Sequence, residues 1–245
     1  MNIDFHCHGK PSKKLSFSLP YFSRYIRMAK RNGLDAIAFT EHFNTMDFYD
    51  IYHKLDNAFP YADGYYDAYD VKVFCGMEIN VKEGGHVLII GYKKDILDIR
   101  ALFPEEISKK DYPAFEHLME LADSRGMIKI GAHPFRNSNI LCRHDEYALK
   151  QLDFIELNGK NIDQKDDVYD LARKINLPVI AGSDSHHWFQ LGCMKNRLRD
   201  ECDSFQELKD CIKSNRYDID VSPHINLKLA MAFMCKKLIK SVYEK

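Results

Sequence analysis

The sequence predicts an α/β protein whose fold is a distorted barrel of strand–helix units. Short runs of β-branched and aliphatic residues alternate with segments of helical periodicity, which is the pattern of βα units around a mostly parallel sheet. The length of 245 residues also fits one such barrel. Because seven strand-like runs are present, one fewer than in a regular barrel of this type, we expect a distorted (β/α)7 barrel that forms a single domain over residues 1–245.

The predicted strands are short, and most of them end beside polar residues. They cover residues 3–5, 36–39, 71–79, 86–92, 128–131, 154–157 and 178–181. Helical periodicity predicts helices at 21–31, 46–58, 114–124 and 168–175. The segment Lys82-Glu-Gly-Gly favours a turn between the third and fourth strands, so this pair is a candidate for antiparallel pairing.

Composition limits the class of protein. The chain has 35 Lys and Arg against 36 Asp and Glu, so it lacks the overall positive charge of a protein that relies on nucleic-acid backbone contacts. A nucleic-acid partner is therefore possible but not favoured. The seven cysteines are scattered without a C-x-x-C pair, which argues against a disulfide framework and favours a reducing compartment. The chain shows neither a leader nor a membrane-length apolar run, and we expect a cytoplasmic protein.

The C-terminal segment is predicted to be a helix within residues 223–245. Its apolar side chains recur at helical spacing, at Leu227, Ala230, Met231, Met234 and Leu238. We expect this stripe to dock the helix on the barrel.

Potential metal ligands stand at the ends of most of the predicted strands. The first strand runs into Asp4-Phe5-His6-Cys7-His8, where alternation along an extended backbone predicts Asp4, His6 and His8 on one side and Cys7 in the core. The other potential ligands are His42, Glu78, His86, His133, Asp184 and His186. Imidazole and carboxylate donors without thiolates suit zinc, manganese or iron. Two or three such ions side by side would activate water for hydrolysis, with Glu78 able to bridge two of them, and Glu78 and Asp184 are predicted to be catalytic.

Further residues near these strand ends are candidates for substrate binding and proton transfer. Arg136, Lys160 and Lys14, with its neighbour Lys13, are predicted to contact a phosphate, although each could instead be an ordinary surface cation. His187 is predicted to be catalytic because it follows His186 directly.

Two carboxylates are candidates for orienting the metal ligands. Asp4 is predicted to accept a hydrogen bond from a ligand histidine. Glu41 is either a similar partner or a residue that faces away, and the second interpretation is slightly favoured.

The motif order H-x-H, T-E-H, G-x-E, G-H, H-P and D-x-H over roughly residues 1–200 resembles the polymerase and histidinol phosphatase (PHP) superfamily. The resemblance implies a distorted seven-unit barrel and a trinuclear metal centre. Members of that superfamily often carry one more histidine after H-x-H, whereas this chain has Gly9-Lys-Pro-Ser-Lys-Lys. The implied ligands are His6, His8, Glu78 and Asp184 for a first metal, Glu78, His86 and His133 for a second, and His42 and His186 for an incomplete third.

These residues predict a metal-dependent phosphoesterase that acts on a small phosphorylated metabolite or nucleotide. Three alternatives stay open: a nuclease, a hydrolase of C–N bonds, and a metal-binding domain without catalysis. The sequence does not indicate the substrate, the metal used in the cell or the oligomeric state.

Overall fold

The structure is a computed structural model that describes residues 1–137 and 140–243. Its strands are β1 (Asn2–Cys7), β2 (Ala36–Phe39), β3 (Tyr61–Ala62), β4 (Tyr65–Ala68), β5 (Val71–Asn80), β6 (His86–Gly91), β7 (Ile128–Ala132), β8 (Phe154–Asn158), β9 (Val179–Gly182), β10 (Met194–Leu198) and β11 (Tyr217–Val221). Its α-helices are α1 (Leu19–Arg31), α2 (Phe48–Ala58), α3 (Lys93–Arg100), α4 (Phe115–Asp123), α5 (Glu146–Leu149), α6 (Lys165–Ile175), α7 (Phe205–Lys213) and α8 (Ile225–Tyr243).

The strands form one curved sheet, and the predicted distorted barrel is confirmed. The strand order is β11-β10-β1-β2-β5-β6-β7-β8-β9, so the seven predicted strands are consecutive in the sheet. Pairing is parallel along β1-β2-β5 and along β7-β8-β9. Strand β6 is antiparallel to both of its neighbours, as the short turn before it had indicated for β5. The sequence analysis did not predict β3, β4, β10 and β11.

The barrel closes between β1 and β9 through a few specific contacts. An isolated bridge pairs Cys7, the last residue of β1, with Ser185, which lies beyond the end of β9. Farther along the seam, the side-chain amide of Asn196 in β10 bonds both the N–H and the C=O of Ala181 and also donates to the C=O of Ile3. This fully buried amide therefore links β1 to β9.

A register shift in β1 sets the direction of the first metal-ligand motif. Strict alternation would place Phe5 and Cys7 on the same side of the strand. The pairing of β1 with β2 instead shifts between Asp4 and Cys7, and Phe5 lies in the apolar cluster inside the barrel while Cys7 lies in the cluster under the helices. The predicted placement of Cys7 in the core is confirmed, but the simple alternation behind it is wrong, because an irregularity changes the phase of the strand.

Helices α1, α2, α4 and α6 cover the outside of the barrel with apolar faces. Helix α1 illustrates the local signals: the Ser18 hydroxyl accepts a hydrogen bond from Tyr21 N–H, and Pro20 stands in the first turn. Helix α7, which the sequence analysis missed, packs Phe205 and Leu208 against the cluster inside the barrel.

Helix α8 meets the protein through a different face from the one predicted. Ile225 and Ala232 are buried and Leu229 packs against the core, whereas the stripe that was expected to dock is exposed, with Leu227 at 62%, Met231 at 43%, Met234 at 64% and Leu238 at 63%. That the whole chain is one domain stays a prediction. Among the described residues, no helix has the length and apolar character needed to cross a membrane.

Candidate metal centre

Glu78, near the end of β5, is the centre of a cluster of five imidazoles. Its Oε2 lies 3.0 Å from His42 Nδ1, 3.4 Å from His8 Nε2 and 3.5 Å from His6 Nε2. Its Oε1 lies 3.0 Å from His133 Nε2 and contacts His86 Nδ1. The two oxygens of one carboxylate thus face two separate sets of nitrogen donors. This arrangement suits a carboxylate that bridges two cations.

The potential donor atoms fall into three groups whose members lie within 4.8 Å of one another. The second group contains all the residues predicted to hold the second metal. The first group contains the residues predicted for the first metal except Glu78. In the third group, His8 joins the two predicted histidines, so that three imidazoles face one point without a further histidine after the H-x-H motif. The groups are His6, His8 and Asp184; Glu78, His86 and His133; and His8, His42 and His186.

Charges in the cluster hold one another in ionised form. Burial would raise the pKa of Glu78, but His86, His42 and His6 keep this pKa well below its ordinary value. Burial would lower the pKa of His6, but the carboxylates of Glu156, Asp184 and Glu78 raise it well above its ordinary value. In the absence of a metal, protons on His6 and His8 therefore balance part of the buried negative charge, whereas burial lowers the pKa of His42, His133 and His186.

Glu156 is a site residue that the sequence analysis missed. It lies in β8 with 1% of its surface exposed, and its Oε1 is 2.8 Å from His6 Nδ1. Its Oε2 accepts the backbone N–H of His133 at 2.8 Å. A hydrogen bond from Nδ1 leaves Nε2 of His6 directed at the cluster, so Glu156 fixes the orientation of one potential ligand and the backbone of another. An acidic residue between apolar neighbours of a buried strand was the signal available in the sequence.

Glu41 and Asp4 have different roles from those favoured by the sequence. Glu41 faces the cluster instead of facing away: its Oε1 lies 3.4 Å from His8 Nδ1, and its Oε2 accepts Gly9 N–H. The carboxylate of Asp4 accepts the backbone N–H groups of His6, Ser183 and Gly192, and no imidazole of the described residues donates a hydrogen bond to it. Asp4 therefore stabilises the backbone that carries the ligands.

Asp184 connects the cluster to two of the predicted phosphate-binding cations. Its Oδ2 lies 2.8 Å from an Arg136 Nη2, and its Oδ1 lies 2.9 Å from Lys160 Nζ. Burial would raise the pKa of Asp184, but Lys160, Arg136 and His6 hold this pKa well below its ordinary value. Arg136 is oriented further by the side-chain oxygens of Asn158 and Asn161. Both predicted cations therefore lie at the edge of the candidate centre.

Two of the donor residues have backbone conformations that residues other than glycine rarely adopt. His133 has φ of 29° and Asp184 has φ of 52°, which costs about 1 kcal/mol or more each for such residues. The surrounding contacts compensate for this cost, since Glu156 bonds the N–H of His133 and Arg136 bonds the carboxylate of Asp184. Strain of this kind is concentrated at functional sites.

A cavity of about 480 Å³ opens beside the cluster. Its lining includes His186, Arg136 and Lys160, which belong to the cluster or contact Asp184, and four residues of α8, Leu229, Ala232, Phe233 and Lys236. His187 also lines it, with 5% of its surface exposed and with a buried Nε2 that forms no hydrogen bond. Burial, together with the charges of Lys160 and Lys236, lowers the pKa of His187 to about 4, so its imidazole is neutral at pH 7.

The lysines after the H-x-H motif occupy three different environments. Lys10 is buried and contacts Thr45 Oγ1 and Asp47 Oδ1, so it holds the loop rather than the cluster. Lys13 is exposed, and desolvation lowers the pKa of its amine against the attraction of Glu78 and Glu41. Lys14, the predicted phosphate contact, is exposed and is not among the residues that line the cavity.

The residues of the cluster fit divalent metals. Glu78 Oε2 and His42 Nδ1 are buried but form no hydrogen bond, although they lie 3.0 Å apart. Buried polar atoms without a hydrogen bond cost free energy, and a cation between them would remove that cost. Within the described residues, the three groups contain imidazoles and carboxylates and no cysteine. This donor set suits zinc, manganese or iron(II).

The fold is shared with several solved structures. PsfC from Pseudomonas syringae PB-5123 has a TM-score of 0.81 at 20% identity, over 97% of this chain and 98% of PsfC. The lesion-specific endonuclease PfuEndoQ from Pyrococcus furiosus has a TM-score of 0.69 at 21% identity, over 89% of this chain and 57% of the endonuclease. A protein from Bifidobacterium adolescentis, provisionally assigned as a metal-dependent phosphoesterase, has a TM-score of 0.51 at 16% identity, over 86% and 95%. At these identities the likeness extends to the fold alone.

The barrel and its cluster of imidazoles and carboxylates define a hydrolase that uses divalent metals. The family model of the PHP domain matches residues 4–224, and the chain belongs to this family. The family assigned from the motif order is thereby confirmed. A comparison with curated protein sequences found no match.

Proposed function

We propose that this protein is a phosphoesterase that hydrolyses a small phosphorylated metabolite or nucleotide. The observation that carries the proposal is the position of Arg136 and Lys160 against Asp184 at the edge of the cluster. A guanidinium and an ammonium beside potential metal ligands form a site that favours a dianionic phosphate. Hydrolysis would join the oxygen of water to phosphorus and break the P–O bond to the alcohol.

The three donor groups described above would hold divalent ions, zinc, manganese or iron(II). His8 belongs to two of the groups, but its Nδ1 faces Glu41, so its Nε2 can bind only one ion at a time. Bound metals would supply Lewis acidity and activate water near neutral pH. The sharing of His8 suggests two firmly bound ions and a third that is bound less firmly. Glu156 and Glu41 would orient His6 and His8 from outside the groups.

The chain's own residues would bind and orient the phosphate. Arg136 would bind the phosphate through its Nη1 group, since its Nε and Nη2 contact Asn161, Asn158 and Asp184, and Lys160 adds a second positive charge. His187 would contact the oxygen of the leaving group, because its buried Nε2 borders the cavity and lacks a hydrogen-bond partner.

The abundance of buried, unpaired thiols in the described residues supports a reducing, cytoplasmic location.

A panel of phosphoesters would test the proposal. The purified protein is freed of metal, loaded with Mn²⁺, Zn²⁺ or Fe²⁺, and assayed for release of phosphate. His133→Ala removes a donor from the second group, and we expect loss of activity by at least about 100-fold together with a lower metal content. His117→Ala is the matched control, since His117 is an exposed histidine on α4. Full activity in the His133 variant would refute the assignment.

A nuclease is the second candidate, because the fold is shared with an endonuclease. This chain covers only 57% of that enzyme, and its net charge is -1. Metal-dependent cleavage of an oligonucleotide, with affinity that falls steeply as salt rises, would favour the nuclease over the small-molecule phosphoesterase. Hydrolysis of a C–N bond in the same panel would favour the amidohydrolase alternative, and stoichiometric metal without any turnover would favour a regulatory domain.

A further inference from the structure

We propose that Asn161 is a substrate-binding residue, whose side-chain NH2 group donates a hydrogen bond to an oxygen of the bound phosphate. This inference rests on the proposed function and adds to it a contact that neither the metal donors nor the two cations supply. Asn161 lies in the 3₁₀-helical segment Gly159–Gln164 that follows β8, and it is among the residues that line the cavity beside the cluster.

Arg136 fixes the direction of the Asn161 amide. The Nε of Arg136 lies 3.0 Å from Asn161 Oδ1. A guanidinium N–H can only donate, so the amide atom that faces it is the oxygen. The NH2 group is on the other branch of the same amide, and among the described residues no acceptor contacts it. Asn161 therefore presents a free donor on a residue of the cavity lining.

Asn158 holds the same guanidinium and makes this arrangement rigid. Its Oδ1 lies 3.1 Å from Arg136 Nη2 and 3.0 Å from the backbone N of Lys160. Asp184 Oδ2 also contacts Nη2. Two amide oxygens and one carboxylate thus hold two of the three guanidinium nitrogens. Because the guanidinium is held in this way, the amide of Asn161 is preorganised for a ligand.

The polar side chains of the lining offer donors, whereas an ionised phosphate offers only acceptors. Arg136 and Lys160 cannot accept a hydrogen bond, and no carboxylate is found among the described residues that line the cavity. Gln190 repeats the pattern of Asn161, since its Oε1 accepts the backbone N–H of His186 at 3.2 Å and its NH2 group is left as the donor. A dianionic phosphate complements such a lining.

Two substitutions of Asn161 separate a contact to substrate from the positioning of Arg136. Asn161→Asp keeps an acceptor for Arg136 Nε but replaces the donor by a charged oxygen. Asn161→Ala removes both groups. If the NH2 group contacts the phosphate, the Asp variant binds phosphate more weakly than the Ala variant. If Asn161 only positions Arg136, the Asp variant binds more tightly than the Ala variant.

Calorimetry with methylphosphonate on the manganese-loaded protein would measure the Kd values without turnover. The titrations use about 1 M KCl, where charges more than roughly 3 Å apart are largely screened. We expect a loss of affinity of about tenfold for Asn161→Ala and of about 100-fold or more for Asn161→Asp.

The matched control is Gln164→Glu, which adds a negative charge to the same segment at a residue that does not line the cavity. Its Kd should stay within about twofold of the wild-type value. The metal content should be the same in all four proteins, because Asn161 and Gln164 belong to none of the three donor groups.

The outcomes separate this inference from the proposed function. An Asp variant that binds at least as tightly as the Ala variant, or an equal loss in Gln164→Glu, would overturn the contact even if phosphate esters are hydrolysed. The expected order of affinities without hydrolysis of any ester would support the contact and refute the phosphoesterase. Wild-type protein that does not bind methylphosphonate would overturn the contact directly.

Discussion

Replacing Glu156 by glutamine would test how far an outer carboxylate controls the metal centre. The carboxylate has two acceptor oxygens, and each is used: one at 2.8 Å from His6 Nδ1 and one at 2.8 Å from His133 N. Glutamine keeps the size of the side chain but has one oxygen and one NH2 group, so one of these two partners loses its acceptor. The negative charge beside His6 is also lost.

We expect Glu156→Gln to weaken metal binding by about 10- to 100-fold, which is the usual effect of removing a partner of a ligand histidine and corresponds to about 1.4–2.8 kcal/mol. Competition with a chromophoric chelator would measure the affinity for Mn²⁺ and Zn²⁺. Glu207→Gln is the control, because Glu207 also accepts a backbone N–H but lies on α7. Affinity within about twofold of wild type, in a variant that folds normally, would refute the role assigned to Glu156.

Three further predictions concern packing, metal removal and pH. Gly182→Ala should lower the free energy of unfolding by about 1–3 kcal/mol and also weaken metal binding, because the added Cβ would overlap Glu156 Oε1 and lie 2.6 Å from His6 Cβ. Denaturant unfolding would measure the change in stability. Unchanged stability would contradict this close approach. Metal at about 100 times its Kd should stabilise the protein by about 2.7 kcal/mol, which corresponds to a rise in melting temperature of roughly 5–10 °C at this chain length. Calorimetry before and after dialysis against EDTA would measure the two melting temperatures, and equal values would count against the metal site. Burial would lower the pKa of His6 and His8, but nearby carboxylates raise both values above 6.5. The two protonated imidazoles therefore contribute fully to the stability of the metal-free protein below about pH 6.5, and this contribution is lost as pH rises through the folded pKa. Metal must displace these protons, so its affinity should rise with pH; titrations in two buffers of different ionisation enthalpy would detect the released protons, and no difference between buffers would argue against it.

The barrel was predictable because its strands are continuous apolar runs, and the metal ligands because they cluster at the ends of those runs. Strand β10 was not predicted, since three of its five residues are polar. Helix α7 could have been found, because Ser204 caps it and its buried residues recur at helical spacing.

The orientation of single side chains was harder to predict than the elements that carry them. In β1 the direction of His6 depends on a register shift in the pairing with β2. Alternation of residues along a single strand gives no information about such a shift. Helix α8 is apolar on two faces, with Leu229 and Ala232 on one and Met231 and Met234 on the other. Periodicity alone therefore could not choose the face that packs against the barrel.

The seam between β1 and β9 divides the ligands of the first group between its two sides. His6 and His8 stand on one side and Asp184 on the other, and two backbone hydrogen bonds across Ser185, at 2.9 Å and 3.2 Å, connect them beyond the strand ends. The Tyr25 hydroxyl also contacts Ser185, so opening of the seam would break this contact as well as the two backbone bonds. Such opening would separate Asp184 from His6 and His8 and would weaken metal binding, and amide exchange at His8 and Ser185 would measure it.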